Sequence, residues 1–197
     1  MAINLKKGQR INLKKEAPGL TKVMCGLGWD VAESKGLFGL FKGKDFDLDA
    51  SVFCLTNRDK LKSKSDVIYF GNLNHSSGGI THLGDNLTGA GEGDDEQILV
   101  DLTKIPDDIV KLLFVVNIYK AKQRQQSFGQ VKNAFVRLVN LSNNKEIARY
   151  SLLGEEYDGK TGMILAEVYR DNEGWQMEAV GKGLMANGLQ EMTNEYY

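Results

Sequence analysis

Residues 45–54 read D-F-D-L-D-A-S-V-F-C, an alternation that suits an extended strand and little else. Phe46, Leu48, Ala50, Val52 and Cys54 then share one apolar face, and Asp45, Asp47 and Asp49 share the reverse at the strand's start. Three like charges on one strand face repel one another unless a counter-ion joins them. This strand therefore needs an apolar layer on one side and a cation on the other.

A second acidic stretch strengthens that requirement. Residues 84–96 read G-D-N-L-T-G-A-G-E-G-D-D-E and contain no basic residue. Gly84, Gly89, Gly91 and Gly93 let the backbone fold back on itself. The chain carries 25 basic and 26 acidic residues, and eight of the acids lie in these two stretches, leaving 18 acids against 25 bases elsewhere. Hard oxygen donors on a bending loop suit Ca²⁺, which takes roughly 6–8 oxygens. Asp45, Asp47, Asp85, Asn86, Asp94 and Glu96 are the leading candidate ligands, with carbonyls of Gly91 or Gly93 completing the sphere. Asp30, Asp49 and Asp95 form a second rank. Eight carboxylates exceed what one Ca²⁺ uses, so two ions are expected. Mg²⁺ fits less well, because it keeps several waters.

Two familiar loop types do not match. An EF-hand beginning at Asp45 would need Gly and Glu where Ala50 and Thr56 stand, and one beginning at Asp85 would need oxygen ligands at Leu87 and Gly89. A phosphate-cradling loop would need G-K-[ST], which is missing, and Glu92, Asp94 and Asp95 would repel a phosphate.

The rest of the chain reads as short strands joined by turns. It has 22 glycines and only two prolines. Val23, Cys25 and Leu27 alternate with their neighbours, and Ile98, Val100 and Leu102 continue straight from the acidic loop. The apolar run 112–118 suits a central strand covered on both faces. Hairpins are expected at 134–152 and 163–180, and another at 67–83 with its tip at 75–79. Short helices are expected at 125–132, with Ser127 as a cap, and at 184–196. Ten or eleven strands in 197 residues point to an all-β chain, an antiparallel β-sandwich with one or two short helices, in a single domain spanning 1–197.

Together these stretches resemble the TerD family of bacterial tellurite-resistance and general stress proteins. Supporting segments are E-A-P-G-L at 16–20, G-L-G-W-D at 26–30, R-Q-Q-S-F-G-Q-V at 124–131 and I-A-R-Y at 147–150. The resemblance implies a compact β-sandwich that binds calcium and is expressed under stress. The expected function is a calcium-binding interaction module. Its expected partners are Ca²⁺ and other stress-response proteins, with a membrane surface as a further candidate. The alternative is a metal-dependent phosphoester hydrolase using the same carboxylates.

Several features argue against catalysis and other partners. His75 and His82 lie in the expected hairpin with no evident acidic partner, and no G-x-S-x-G or H-E-x-x-H appears. The polar run 123–127 has the variety of a ligand-contact patch, although a capped, solvated short helix explains it as well. Lys6, Lys7, Arg10, Lys14, Lys15 and Lys22 could attract an anionic surface, but charges guarding an edge strand are the commoner cause, and nucleic acid is not expected. No signal peptide or membrane span is expected, and Cys25 and Cys54 read as buried free thiols of a cytoplasmic protein. Residues 34–44 set Leu37, Phe38, Leu40 and Phe41 among glycines and lysines, which suits either a cluster tucked under the loop or a protruding contact tip.

Overall fold

The alternating runs form twelve strands among the described residues, in two six-stranded sheets. The computed structural model describes residues 2–31, 46–84, 93–152 and 157–197, the side chains of residues 30 and 31 excepted. In chain order the strands are β1 (Ile3–Leu5), β2 (Arg10–Asn12), β3 (Lys22–Val31), β4 (Leu48–Leu55), β5 (Val67–Ile68) and β6 (Ile80–His82). They continue with β7 (Glu96–Asp101), β8 (Lys111–Ile118), β9 (Val131–Asn140), β10 (Lys145–Ser151), β11 (Gly162–Asp171) and β12 (Gly174–Leu184). The first sheet runs β1-β10-β9-β3-β7-β6 and the second β2-β12-β11-β8-β4-β5. All pairs are antiparallel except β1 with β10.

One core fills the space between the sheets. Val23, Cys25 and Leu27 of β3, with Val136 and Leu138 of β9, meet Leu48, Ala50, Val52 and Cys54 of β4 and Leu112, Phe114 and Val116 of β8. The period of two sends the odd-numbered residues of β4 and β8 the other way. Phe53, Leu55, Leu113 and Val115 form a second cluster on the outer face of the second sheet. The C-terminal segment covers it: Leu189 and Met192 of helix α3 (Leu189–Thr193) pack there, and the Tyr196 ring meets Phe53 edge-on at 5.5 Å. β8 is thus buried on both faces, as its unbroken apolar run requires.

Three expectations are corrected. The 67–83 stretch is not one hairpin between β5 and β6, because these lie in different sheets; the local bridges are Tyr69 with Asn72 and Asn74 with Thr81. The C-terminal helix starts at Leu189 rather than 184, since Leu184 is still paired in β12. The helix expected at 125–132 is shorter, a 3₁₀ turn at Phe128–Gln130 with Ser127 at its N-cap as expected, and a separate helical turn, α2 (Ala121–Arg124; the helical turn at Leu13–Glu16 is α1), precedes it. The N-terminal segment supplies an edge strand to each sheet, so its basic residues do flank edges. Among the described residues no helix is long and apolar enough to cross a membrane.

Candidate metal centre

β5 pairs only with Val52 and Phe53 of β4, so the edge of β4 at Ala50 carries a free N–H and C=O. The first sheet satisfies both. The Ala50 N–H donates to Glu96 Oε2 at 2.6 Å, and His82 Nε2–H donates to the Ala50 carbonyl at 3.2 Å. The Gly84 N–H donates to His82 Nδ1 at 3.0 Å, which sets the tautomer. Glu96 pairs in register with Leu27 of β3. One residue on, the Asp95 N–H donates to the Leu27 carbonyl at 2.7 Å and the Trp29 N–H to Asp95 Oδ2 at 2.9 Å. The described ends of both acidic stretches, at Phe46, Gly84 and Gly93, therefore lie within a few residues of the Glu96–Ala50 bond.

The predicted ligands fall into three groups. Asp47 and Asp49 occupy the outer face of β4, opposite Leu48 and Ala50, and are 7% and 5% exposed. Arg124 Nη1 approaches Asp47 Oδ2 at 3.5 Å, and Asn117 Nδ2 donates to Asp49 Oδ2 at 3.1 Å. Glu96, 2% exposed, lies instead between the sheets, with His82 Nε2 at 3.7 Å from Oε2. Asp94 lies flat against the outer face of the first sheet, where Arg137 donates Nε–H to Oδ1 at 2.7 Å and Nη2–H to Oδ2 at 2.9 Å. Asp45, Asp85, Asn86, Gly91 and the side chain of Asp30 lie outside the described residues, as do Leu37, Phe38, Leu40 and Phe41. Among the described residues no three His, Cys, Asp or Glu side chains stand close enough to hold an ion.

Two glycines explain how Asp94 reaches its place. A Cβ on Gly26 would sit 2.3 Å from Asp94 Cγ, and one on Gly28 would sit 2.6 Å from the Gly93 carbonyl and 2.4 Å from the Phe135 ring. Only a strand stripped of side chains at 26 and 28 lets the loop's return lie on it. The expected requirement for a cation at Asp94 thus has another answer, a bidentate arginine from β9. Arg137 was legible as an outward residue between inward Val136 and Leu138, but its partner was not.

Both histidines also differ from expectation, since each has an acidic partner. His75 Nε2–H faces Asp66 Oδ1 at 3.3 Å, its Nδ1 accepts the Ser77 N–H at 3.2 Å, and the ring is buried. Asp66 Oδ2 in turn accepts the Ser63 N–H at 2.9 Å, so this chain of bonds pins residues 63–77. Cys25 and Cys54 are free and buried, and burial raises both thiols far above their ordinary range. The oxygen donors at this corner are hard ones, and no thiolate competes with them.

The relationships to known proteins agree with this architecture. The TerD domain model matches residues 1–196. Stress response protein SCP2 of Bacillus subtilis (strain 168) is 48% identical over 202 residues, spanning 100% of both chains. Tellurium resistance protein TerD of Serratia marcescens is 44% identical over 196 residues, covering 100% of this chain and 97% of its own. A crystal structure of a homologue of telluride resistance protein (TerD) from Streptomyces coelicolor A3(2) superposes with a TM-score of 0.65 at 19% identity, over 91% of this chain and 99% of that one, which speaks for the fold. With a family model spanning nearly every residue and close relatives along the whole length, this chain belongs to the TerD domain family of tellurium-resistance and stress-response proteins.

Proposed function

We propose that this TerD-family chain is a calcium-binding module that works in a stress response by interaction rather than by catalysis, with two Ca²⁺ ions bound. The observation that carries the reading is the Ala50–Glu96 bond, which brings the start of one acidic strand against the end of the acidic glycine loop. Asp47 and Asp49 lie on the outer side of that short length of chain and Glu96 between the sheets, and all three carboxylates are less than a tenth exposed. Burying charge is costly without compensation, and a hard divalent cation supplies it through oxygen ligands.

The donor types fit calcium. Asp47 and Asp49 would hold it from β4, joined by Asp30, Asp45, Asp85, Asn86 and the carbonyls of Gly91 and Gly93. Glu96 would hold the loop's exit against β4. Asp94, with both oxygens on Arg137, and Asp95, bonded to the Trp29 N–H, would fix the path of the returning loop more than they ligate. The bound ion would supply charge neutralisation and loop order, and partners would be other stress-response proteins or an anionic membrane surface. Two buried free thiols are in keeping with a reducing cytoplasm.

Calorimetric titration of chelator-stripped protein with Ca²⁺ tests this. Two equivalents bound support it, and Asp47→Asn should remove or weaken at least one of them. Heat indistinguishable from dilution would end the reading.

A further inference from the structure

Asp47 already faces a cation that belongs to the chain. Arg124, the last residue of the α2 turn, brings Nη1 to 3.5 Å from Asp47 Oδ2, and its side chain stays 35% exposed. The turn is fastened to the same end of β4. The Tyr119 N–H donates to the Asp47 carbonyl at 2.8 Å, and the Arg124 guanidinium rests over the Tyr119 ring at 5.3 Å. The Arg124 N–H closes the turn on the Lys120 carbonyl at 2.9 Å.

Two observations set this contact apart from the grip on Asp94. Arg137 meets Asp94 through two parallel bonds of 2.7 and 2.9 Å, fork on fork. Arg124 Nη1 stands off from Asp47 at 3.5 Å, beyond the usual range of a charge-assisted hydrogen bond. The second observation is the backbone that carries Arg124. Lys120 and Gln125, on either side of the turn, have φ of 51° and 52°. Left-handed backbone is costly at residues other than Gly, Asn or Asp, and it gathers at segments that switch. The Tyr119 ring also carries a second cation, Lys120 Nζ at 5.0 Å, so two like charges share one ring.

An ion ligand and an arginine partner are competing uses of one carboxylate, because a divalent cation and a guanidinium drawn to the same oxygens repel each other. We infer that Arg124 is an internal competitor for the ion at Asp47: it covers the carboxylate in the ion-free protein, ion entry displaces it, and the α2 turn loosens as it leaves. The inference rests on the calcium reading and adds to it the residue that sets the affinity. Apparent affinity falls with the fraction of molecules whose site stands open. Arg124 therefore fixes the calcium level at which the site fills, and it passes the filling on to the surface at residues 119–126.

Calorimetric titration of the chelator-stripped full chain with Ca²⁺ tests this. Arg124→Gln should bind about tenfold more tightly than the unaltered chain, as for an arginine that occupies Asp47 in about nine molecules of ten. Arg124→Lys keeps the charge and should stay within about threefold of the unaltered chain. Lys122→Gln removes an exposed charge from the same turn and should change affinity less than about twofold. In an Asp47→Asn background, Arg124→Gln should have no effect. Amide hydrogen exchange of the unaltered chain gives a second readout: Ca²⁺ should speed exchange at 119–126 while slowing it at 46–49. Equal or weaker binding by Arg124→Gln, or an equal gain in Lys122→Gln, overturns the inference and leaves calcium binding standing. Slower exchange at 119–126 with Ca²⁺ does the same, and it decides the matter were Arg124→Gln unfolded. No Ca²⁺ heat from either the unaltered chain or Arg124→Gln would overturn the calcium reading, and this inference with it.

Discussion

Arg137 grips Asp94 through two parallel hydrogen bonds of 2.7 and 2.9 Å, across the gap left by Gly26 in the strand between them. Asp94 is wholly buried at its side chain while Arg137 stays 27% exposed, so the arginine shields the carboxylate from water. Arg137 also reaches Glu146, which Arg149 holds in turn. The return of the acidic loop is therefore locked to the first sheet by four charged residues.

Breaking that lock should be costly. Arg137→Ala leaves a buried carboxylate without its cation and should destabilise the fold by about 3 kcal/mol. Gly26→Ala should also destabilise it, by about 1–3 kcal/mol, because the added methyl occupies the place of Asp94. Urea denaturation of the two variants checks both, and the double variant should cost less than the sum because each displaces the same carboxylate.

The same network has a pH signature. The hydrogen bond from Arg149, then that from Arg137, holds Glu146 below the usual carboxylate range. Its folded value lies below its unfolded one, so its contribution is complete above the ordinary value of about 4.3 and is lost as pH falls through the depressed value. Glu146→Gln should be less stable than the unaltered protein at pH 6, and the two should converge in acid. Denaturation midpoints between pH 6 and pH 2.5 read the effect; curves that stay parallel would contradict it.

The two thiols should be silent in the native protein. Cys25 and Cys54 are almost wholly inaccessible, and burial holds both protonated, so an aromatic disulfide reagent should find almost no reactive thiolate at pH 8. Both should react together as the protein unfolds, since each packs in the same inter-sheet core. Rapid modification of either in native buffer would show that the sheets separate locally.

Much of this was legible in the residues. The alternation of 45–54 located β4 and its two faces, and the apolar run 112–118 located a strand covered on both sides. What could not be read was pairing at long range. Val67–Ile68 and Ile80–His82 look like partners in sequence, yet each lies at the edge of a different sheet, because the local turn at 73–82 satisfies the backbone without β5. Glu96 read as a loop ligand, while its period-two position in β7 places it between the sheets beside His82. Arg137 and Asp94 are 43 residues apart, and nothing local announces that one answers the other. Acidic clustering points to a counter-charge but does not say whether an ion or an arginine provides it.

Calcium is the point on which the account turns, and thermal unfolding in chelator against millimolar Ca²⁺ tests it most directly. An ion present at about 100 times its dissociation constant adds roughly 2.7 kcal/mol, which for a chain of this length raises Tm by about 5–10 °C. The account predicts that shift in the unaltered protein and a clearly smaller one in Asp47→Asn, with Asp171→Asn unaffected. An identical Tm in chelator and in calcium would contradict it.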